Sequence, residues 1–235
     1  PLQLEPDLRE LHFGDWEGRS AADLMQHSAE ALGLYTIGFF LASFPVMLIE
    51  KVTRKVLIPL YREQPPGASR ENFARIRKLR FGVTGGMFLL LTGLALLGPV
   101  ITDILYDPRY AVSGVILVLV ACAQMPLAIG LTYDQVALAQ GNSRQFFVVV
   151  AIKAVLMLAL SLAGIATFGI AGAIAGQGAA HLLTLPAIIW LARAHGAWDR
   201  LHDLVFLLAM LILGGTALWL HQDGIAELIR LGATG

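Results

Sequence analysis

The chain has 235 residues, 57% of them hydrophobic and 14% charged, with no net charge and a mean hydropathy of +0.69. Soluble domains carry about 25% charged residues, so the balance excludes an ordinary aqueous globule and points to a bilayer. Zero net charge argues against a nucleic-acid partner. The single cysteine, Cys122, lies in an apolar run and has no internal disulfide partner. The six histidines show no ligand spacing, so neither a metal nor another cofactor is expected. No charged-then-apolar leader opens the sequence, so no signal peptide is expected.

In chain order, residues 1–30 are polar and read as a short soluble segment, LRELHFGDWEGRS at 8–20 being its most distinctive run. Six apolar segments follow, at 31–49, 81–102, 112–133, 146–168, 170–192 and 204–220. Each approaches the roughly 20 residues that a helix needs to cross a bilayer core. The fourth and fifth are separated only by Phe168–Gly169, which predicts an antiparallel hairpin. Residues 222–235 form a short polar tail. The fold class expected is therefore all-α, with about six transmembrane helices in one bundle.

Charge placement orients the bundle. Lys51, Arg54, Lys55, Arg62, Arg70, Arg75, Arg77, Lys78 and Arg80 crowd the connection after the first span, with Arg144, Arg193 and Arg200 at the later connections of the same parity. Of the connections on the other side, that at 103–111 holds Arg109 with Asp103 and Asp107, and the tail holds Arg230. Short Lys/Arg-rich loops stay in the cytoplasm, so these connections are inside and residues 1–30 come out on the outer face.

Several residues inside or beside the spans carry polar chemistry. Lys153 lies about seven residues into the fourth span, roughly 10 Å deep. It either faces a cavity and attracts an anion or snorkels back beside Arg144. Gln177, His181 and Thr184 share one face of the fifth span, as a water-filled path or as interhelical hydrogen bonding. Gln124, midway along the third span, has the same two readings. Gly172, Gly176 and Ala180 form a small-residue stripe suited to close helix approach. The segment 69–81 reads as a basic interfacial helix. Its Arg75 and Lys78, with Arg54 and Lys55, either hold anionic headgroups or phosphates or simply anchor the topology. Pro45, Pro126 and Pro186 are expected to kink their spans.

The run ALGLYTIGFFLASFPVMLIEKVTRKVLIPLYRE, with VLIPLYR at 56–62, resembles the polysaccharide (O-antigen type) flippases of the multidrug/oligosaccharidyl-lipid/polysaccharide exporter superfamily. ILYDPRYAVSG (104–114) is similar to an outer loop of that family, and ALAQGNSRQF (137–146) to a short inner loop. The resemblance covers about 31–221 and implies one carboxy-terminal lobe of a two-lobed transporter. It implies a polyprenyl-pyrophosphate-linked oligosaccharide as substrate, moved across the bacterial inner membrane for lipopolysaccharide or exopolysaccharide assembly without covalent chemistry. The implied partners are the bilayer, the lipid-linked oligosaccharide and a separate amino-terminal lobe. Lys153, Gln177, His181 and Gln124 are then the residues assigned to the substrate path.

LRELHFGDWEGRS resembles the histidine phosphatase (phosphoglycerate mutase-like) family, whose proton-donating carboxylate falls at Glu10, with Phe13-Gly14 and Trp16-Glu17-Gly18 completing the motif. That family's nucleophile lies in an Arg-His-Gly motif, which this sequence lacks, and His12 and His27 have no comparable context. A general acid without nucleophile or phosphate-binding arginines does not run phosphoryl transfer, so no enzyme is expected. Residues 1–30 read as a phosphatase fragment joined to the flippase-like lobe within 20–31. A membrane-tethered phosphatase and a non-transporting bundle that assembles with a partner lobe are the alternatives.

Overall fold

The computed structural model describes residues 21–106 and 110–233, with side-chain environments from Leu32 to Arg230. Glu10, His12, Asp107 and Arg109 lie outside the described residues, as does the side chain of His27. Every regular element among the described residues is helical: α1 (Ala21–Glu63), α2 (Arg70–Leu105), α3 (Ala111–Gly130), α4 (Asp134–Ala139), α5 (Ser143–Ala194), α6 (Arg200–Ala209), α7 (Gly215–Leu220) and α8 (Gln222–Ala233). A π-helical turn, Met210–Gly214, joins α6 to α7. Among the described residues, five helical stretches are long and apolar enough to cross a membrane.

The longest, α5, has 52 residues and is two arms: its backbone leaves the helical region at Phe168 and Gly169, where φ of Gly169 is 58°. His195, just past the second arm, reaches Gln145 at the start of the first at 2.8 Å. The two bases are thus adjacent and the tip points away, as the sequence predicts. Gly164 and Gly172 stand so close that a β-carbon on either would overlap the other's carbonyl, and Gly176 faces Leu160 in the same way. The small stripe is therefore the seam of the hairpin. Leucine, isoleucine and valine side chains at 155, 158, 162 and 165 on the first arm point outward and are exposed, the face lipid would cover.

Helix limits differ from those read off the sequence. α1 does not end at residue 49 but continues through the basic segment to Glu63, and Pro65-Pro66-Gly67 finally breaks it. At 43 residues it is about 64 Å long. The basic segment 69–81 is the start of α2 rather than a separate helix, capped by Ser69 Oγ accepting from the Asn72 amide at 3.1 Å. Pro45, Pro126 and Pro186 are carried within helices whose interior dihedrals stay helical around them. The polar tail is helix over Gln222–Ala233, with Leu228 buried.

The connections sort to two ends. At one end α1–α2, α3–α4 and α5–α6 meet around a buried guanidinium. Arg80, 1% exposed, donates to the Ala197 carbonyl at 2.9 Å and to the Tyr61 hydroxyl at 3.1 Å, and its Cζ lies 4.1 Å from the centre of the Tyr133 ring. The Tyr61 hydroxyl in turn donates to the Thr132 carbonyl at 2.8 Å. Beside it Arg77 forms a two-pronged pair with Asp199 (Nη2 to Oδ1, 2.8 Å). Asp203 accepts from Tyr133 at 2.7 Å and from the Trp198 indole at 3.0 Å. A neutral His202 completes the set, donating from Nδ1 to Asp203 (3.0 Å) and accepting at Nε2 from Thr84 (2.9 Å). At the other end Gly98 packs on Gly114, and His221 reaches the Leu96 carbonyl at 3.2 Å.

Two outcomes follow from this packing. Gly176→Leu must push the hairpin arms apart and is expected to cost about 1–3 kcal/mol or more, read as a lower unfolding midpoint in detergent. For Asp199, burial pushes the carboxyl up. The Arg77 hydrogen bond, the His202 amide and the charges of Arg77 and Arg80 together outweigh that and hold it below its ordinary value. A depressed carboxyl stabilises the fold fully above its unfolded value of about 4, and that stability is lost as pH falls through the native value. Arg77→Gln should shrink this acid-side loss, measured by unfolding the two proteins across pH.

Candidate functional site

Three helices bring polar side chains to one cleft within the apolar bundle. α1 supplies Ser43, α3 supplies Gln124, and the two arms of α5 supply Lys153 and the pair Gln177 and His181. The cleft encloses about 240 Å³, with Phe39, Val46, Met47, Leu127 and Met157 as its apolar walls. Phe39 and Met47 are also exposed and form its rim. Lys153 stands ten residues past Ser143, about 15 Å along the arm from the start of the helix.

The four residues assigned to a substrate path are thus gathered in one place. Gln177 and His181, four apart, share the face of the second arm that meets the cleft, whereas Thr184 bonds back to the Ala180 carbonyl at 2.6 Å and does not line it. Gln124 donates from Nε2 to Ser43 Oγ at 3.2 Å. Its Oε1 is buried without a partner, and so is Nδ1 of His181; the two residues are 7% and 6% exposed. An unpaired buried polar atom costs about 1–3 kcal/mol. Both side chains thus retain hydrogen-bonding capacity that no described residue uses. An occupant that complements it carries negative charge for Lys153 and hydrogen-bonding groups for Gln124 and His181.

The headgroup candidates lie elsewhere. Arg54, Lys55, Arg75 and Lys78 are exposed around the end that holds Arg80, and Arg75 bonds Gln64 at 2.9 Å and pairs with Glu71 at 3.5 Å. None of the four lines the cleft. The sequence reading did not anticipate Ser43, whose hydroxyl gives no signal in an apolar run, nor the pairing of Arg77 and Arg80 with the Asp199–Asp203 segment. The i, i+3 spacing of the two arginines and of Asp199 with His202 was the available signal. Among the described residues no three His, Cys, Asp or Glu side chains gather to hold a metal ion.

Because Nδ1 of His181 is buried unpaired, His181→Leu is expected to leave the unfolding midpoint unchanged or raise it. A loss above about 2 kcal/mol would mean that the imidazole holds the helices together.

Set against protein-family models, curated proteins and solved structures, the chain matches no family, no curated protein and no solved structure.

Proposed function

We propose that this chain is the carboxy-terminal lobe of a flippase that carries polyprenyl-pyrophosphate-linked oligosaccharide from the inner to the outer leaflet of a bacterial inner membrane, for lipopolysaccharide or exopolysaccharide assembly. The observation that carries this reading is the cleft, where Lys153, Gln124, Gln177 and His181 converge from separate helices inside an otherwise apolar bundle. A pyrophosphate would meet the ammonium of Lys153, and sugar hydroxyls would donate to Gln124 Oε1 and His181 Nδ1. The family-like segments LGLY, VLIPLYR and ALAQGNSRQF add support, as does the collection of the basic connections at one end of the bundle. Transport by rocking about a site between repeats needs a second lobe, so an amino-terminal lobe is the proposed partner.

The test is translocation of a fluorescent polyprenyl-pyrophosphate oligosaccharide in proteoliposomes holding the chain with a co-expressed amino-terminal lobe. Lys153→Gln is expected to slow it about tenfold or more, equivalent to at least about 1.4 kcal/mol. Equal rates for the native and Lys153→Gln proteins would end the assignment of Lys153 to the path. No movement in either would end the flippase reading.

A further inference from the structure

A second cavity, of about 350 Å³, shares no lining residue with the cleft. Cys122 and Pro126 of α3 form one side, Gly178 and Leu182 of the second α5 arm another, and Leu211 and Leu218 of the C-terminal helix the third. No charged or amide side chain lines it. It opens on the outside of the bundle, where Leu182 and Leu211 are exposed.

Both helices that flank this opening lead back to an arginine. Leu182, Pro186, Trp190 and Arg193 are spaced four, four and three apart on α5; Arg200, Leu204, Leu208 and Leu211 are spaced four, four and three along α6 and the turn after it. Each set therefore shares one helical face, and all eight residues are exposed. An apolar track thus joins the two arginines to the cavity over eleven residues on either helix, about 16 Å. The hydrocarbon depth of one bilayer leaflet is about 15 Å.

The two arginines stack on one ring. Cζ of Arg193 lies 3.8 Å, and Cζ of Arg200 4.7 Å, from the centre of the Trp198 indole. Stacking occupies the faces of the guanidiniums and leaves their N–H edges free to donate. Neither pairs with a carboxylate among the described residues. The neighbouring Asp199 is taken by Arg77, and Asp203 by Tyr133 and Trp198. Two like charges held within a Debye length, about 10 Å at 0.1 M salt, repel each other unless an anion joins them.

We propose that this seam holds one anionic phospholipid, its phosphate between Arg193 and Arg200 and the end of an acyl chain in the cavity. A free phosphate would use the arginines without the track, and a neutral acyl chain the track without the arginines. A zwitterionic headgroup brings an ammonium beside the two guanidiniums and is disfavoured. The seam lies apart from the cleft, so this site stands or falls independently of the flippase reading.

The experiment is native mass spectrometry of the full chain in detergent, titrated with phosphatidylglycerol or with phosphatidylcholine of the same acyl chains. One phosphatidylglycerol is expected to be held about tenfold more tightly than phosphatidylcholine, and the double variant Arg193→Gln with Arg200→Gln to lose that preference. Gly215→Leu fills the cavity from a position where an added β-carbon meets nothing within 4 Å, so the fold is kept. It should weaken long-chain phosphatidylglycerol about tenfold and spare the dihexanoyl lipid. Equal retention of the two lipids by the native protein overturns the site, and that comparison needs no variant to fold. A preference that survives in the double variant overturns it too. Displacement of phosphatidylglycerol by inorganic phosphate, with Gly215→Leu without effect, gives the arginines to a soluble phosphate and removes the lipid.

Discussion

A guanidinium placed where water does not reach is the constraint around which the bundle is arranged. Arg80 cannot shed its charge, so burial obliges the surroundings to supply acceptors and negative charge in fixed positions. Tyr61 from α1, the ring of Tyr133 beyond α3 and the carbonyl of Ala197 before α6 answer that demand. With Arg77, Asp199 and Asp203 alongside, two cations meet two carboxylates and the cluster is neutral. Elements distant in sequence are thereby fixed at one end, which is what a helix bundle lacking a hydrophobic driving force between helices in lipid requires. Even the connections take part: Gly196, at a φ of 63°, stands against Gly67, and a β-carbon there would lie 2.9 Å from the Gly67 α-carbon.

The same economy explains how a polar cleft is tolerated among apolar spans. With the end of the bundle locked, Gln124 and His181 are held at one cleft without pairing to each other, and each keeps a buried polar atom without a partner among the described residues. Lys153 reaches that space from an arm whose outward face is aliphatic, so the arm is positioned by its glycine seam rather than by polar contacts. Polar side chains buried among apolar helices without partners are costly to any bundle.

Apolar run length made the long helices legible in the sequence, because uninterrupted runs of this length leave no room for the turn residues that strands and loops need. The hairpin was legible too, since only Phe168–Gly169 separates two spans and glycine permits the backbone reversal there. Helix ends were not, because charge does not stop a helix: nothing between Ile49 and Glu63 removes more than the single amide lost at Pro59. Arg80 was hidden for a related reason. A Lys/Arg-rich connection reads as solvated, and its burial depends on Ala197 and Asp199, more than a hundred residues on. For the cleft, spacing alone put Gln177 and His181 on one face, but the meeting of three helices at that face is a tertiary fact.

The hairpin also bears on topology. Between Gln145 and Ala192 the only formally charged side chain is Lys153, and Arg144 and Arg193 bracket the pair of arms at the same base. Were this segment to cross a bilayer, its uncharged tip would be the part that crosses and both arginines would stay at one face. Its glycine seam closes within the segment, without waiting for other helices. The arm that carries Lys153 and the arm that carries His181 are therefore held together by a contact internal to one segment, so part of the cleft's polar wall is set by local packing.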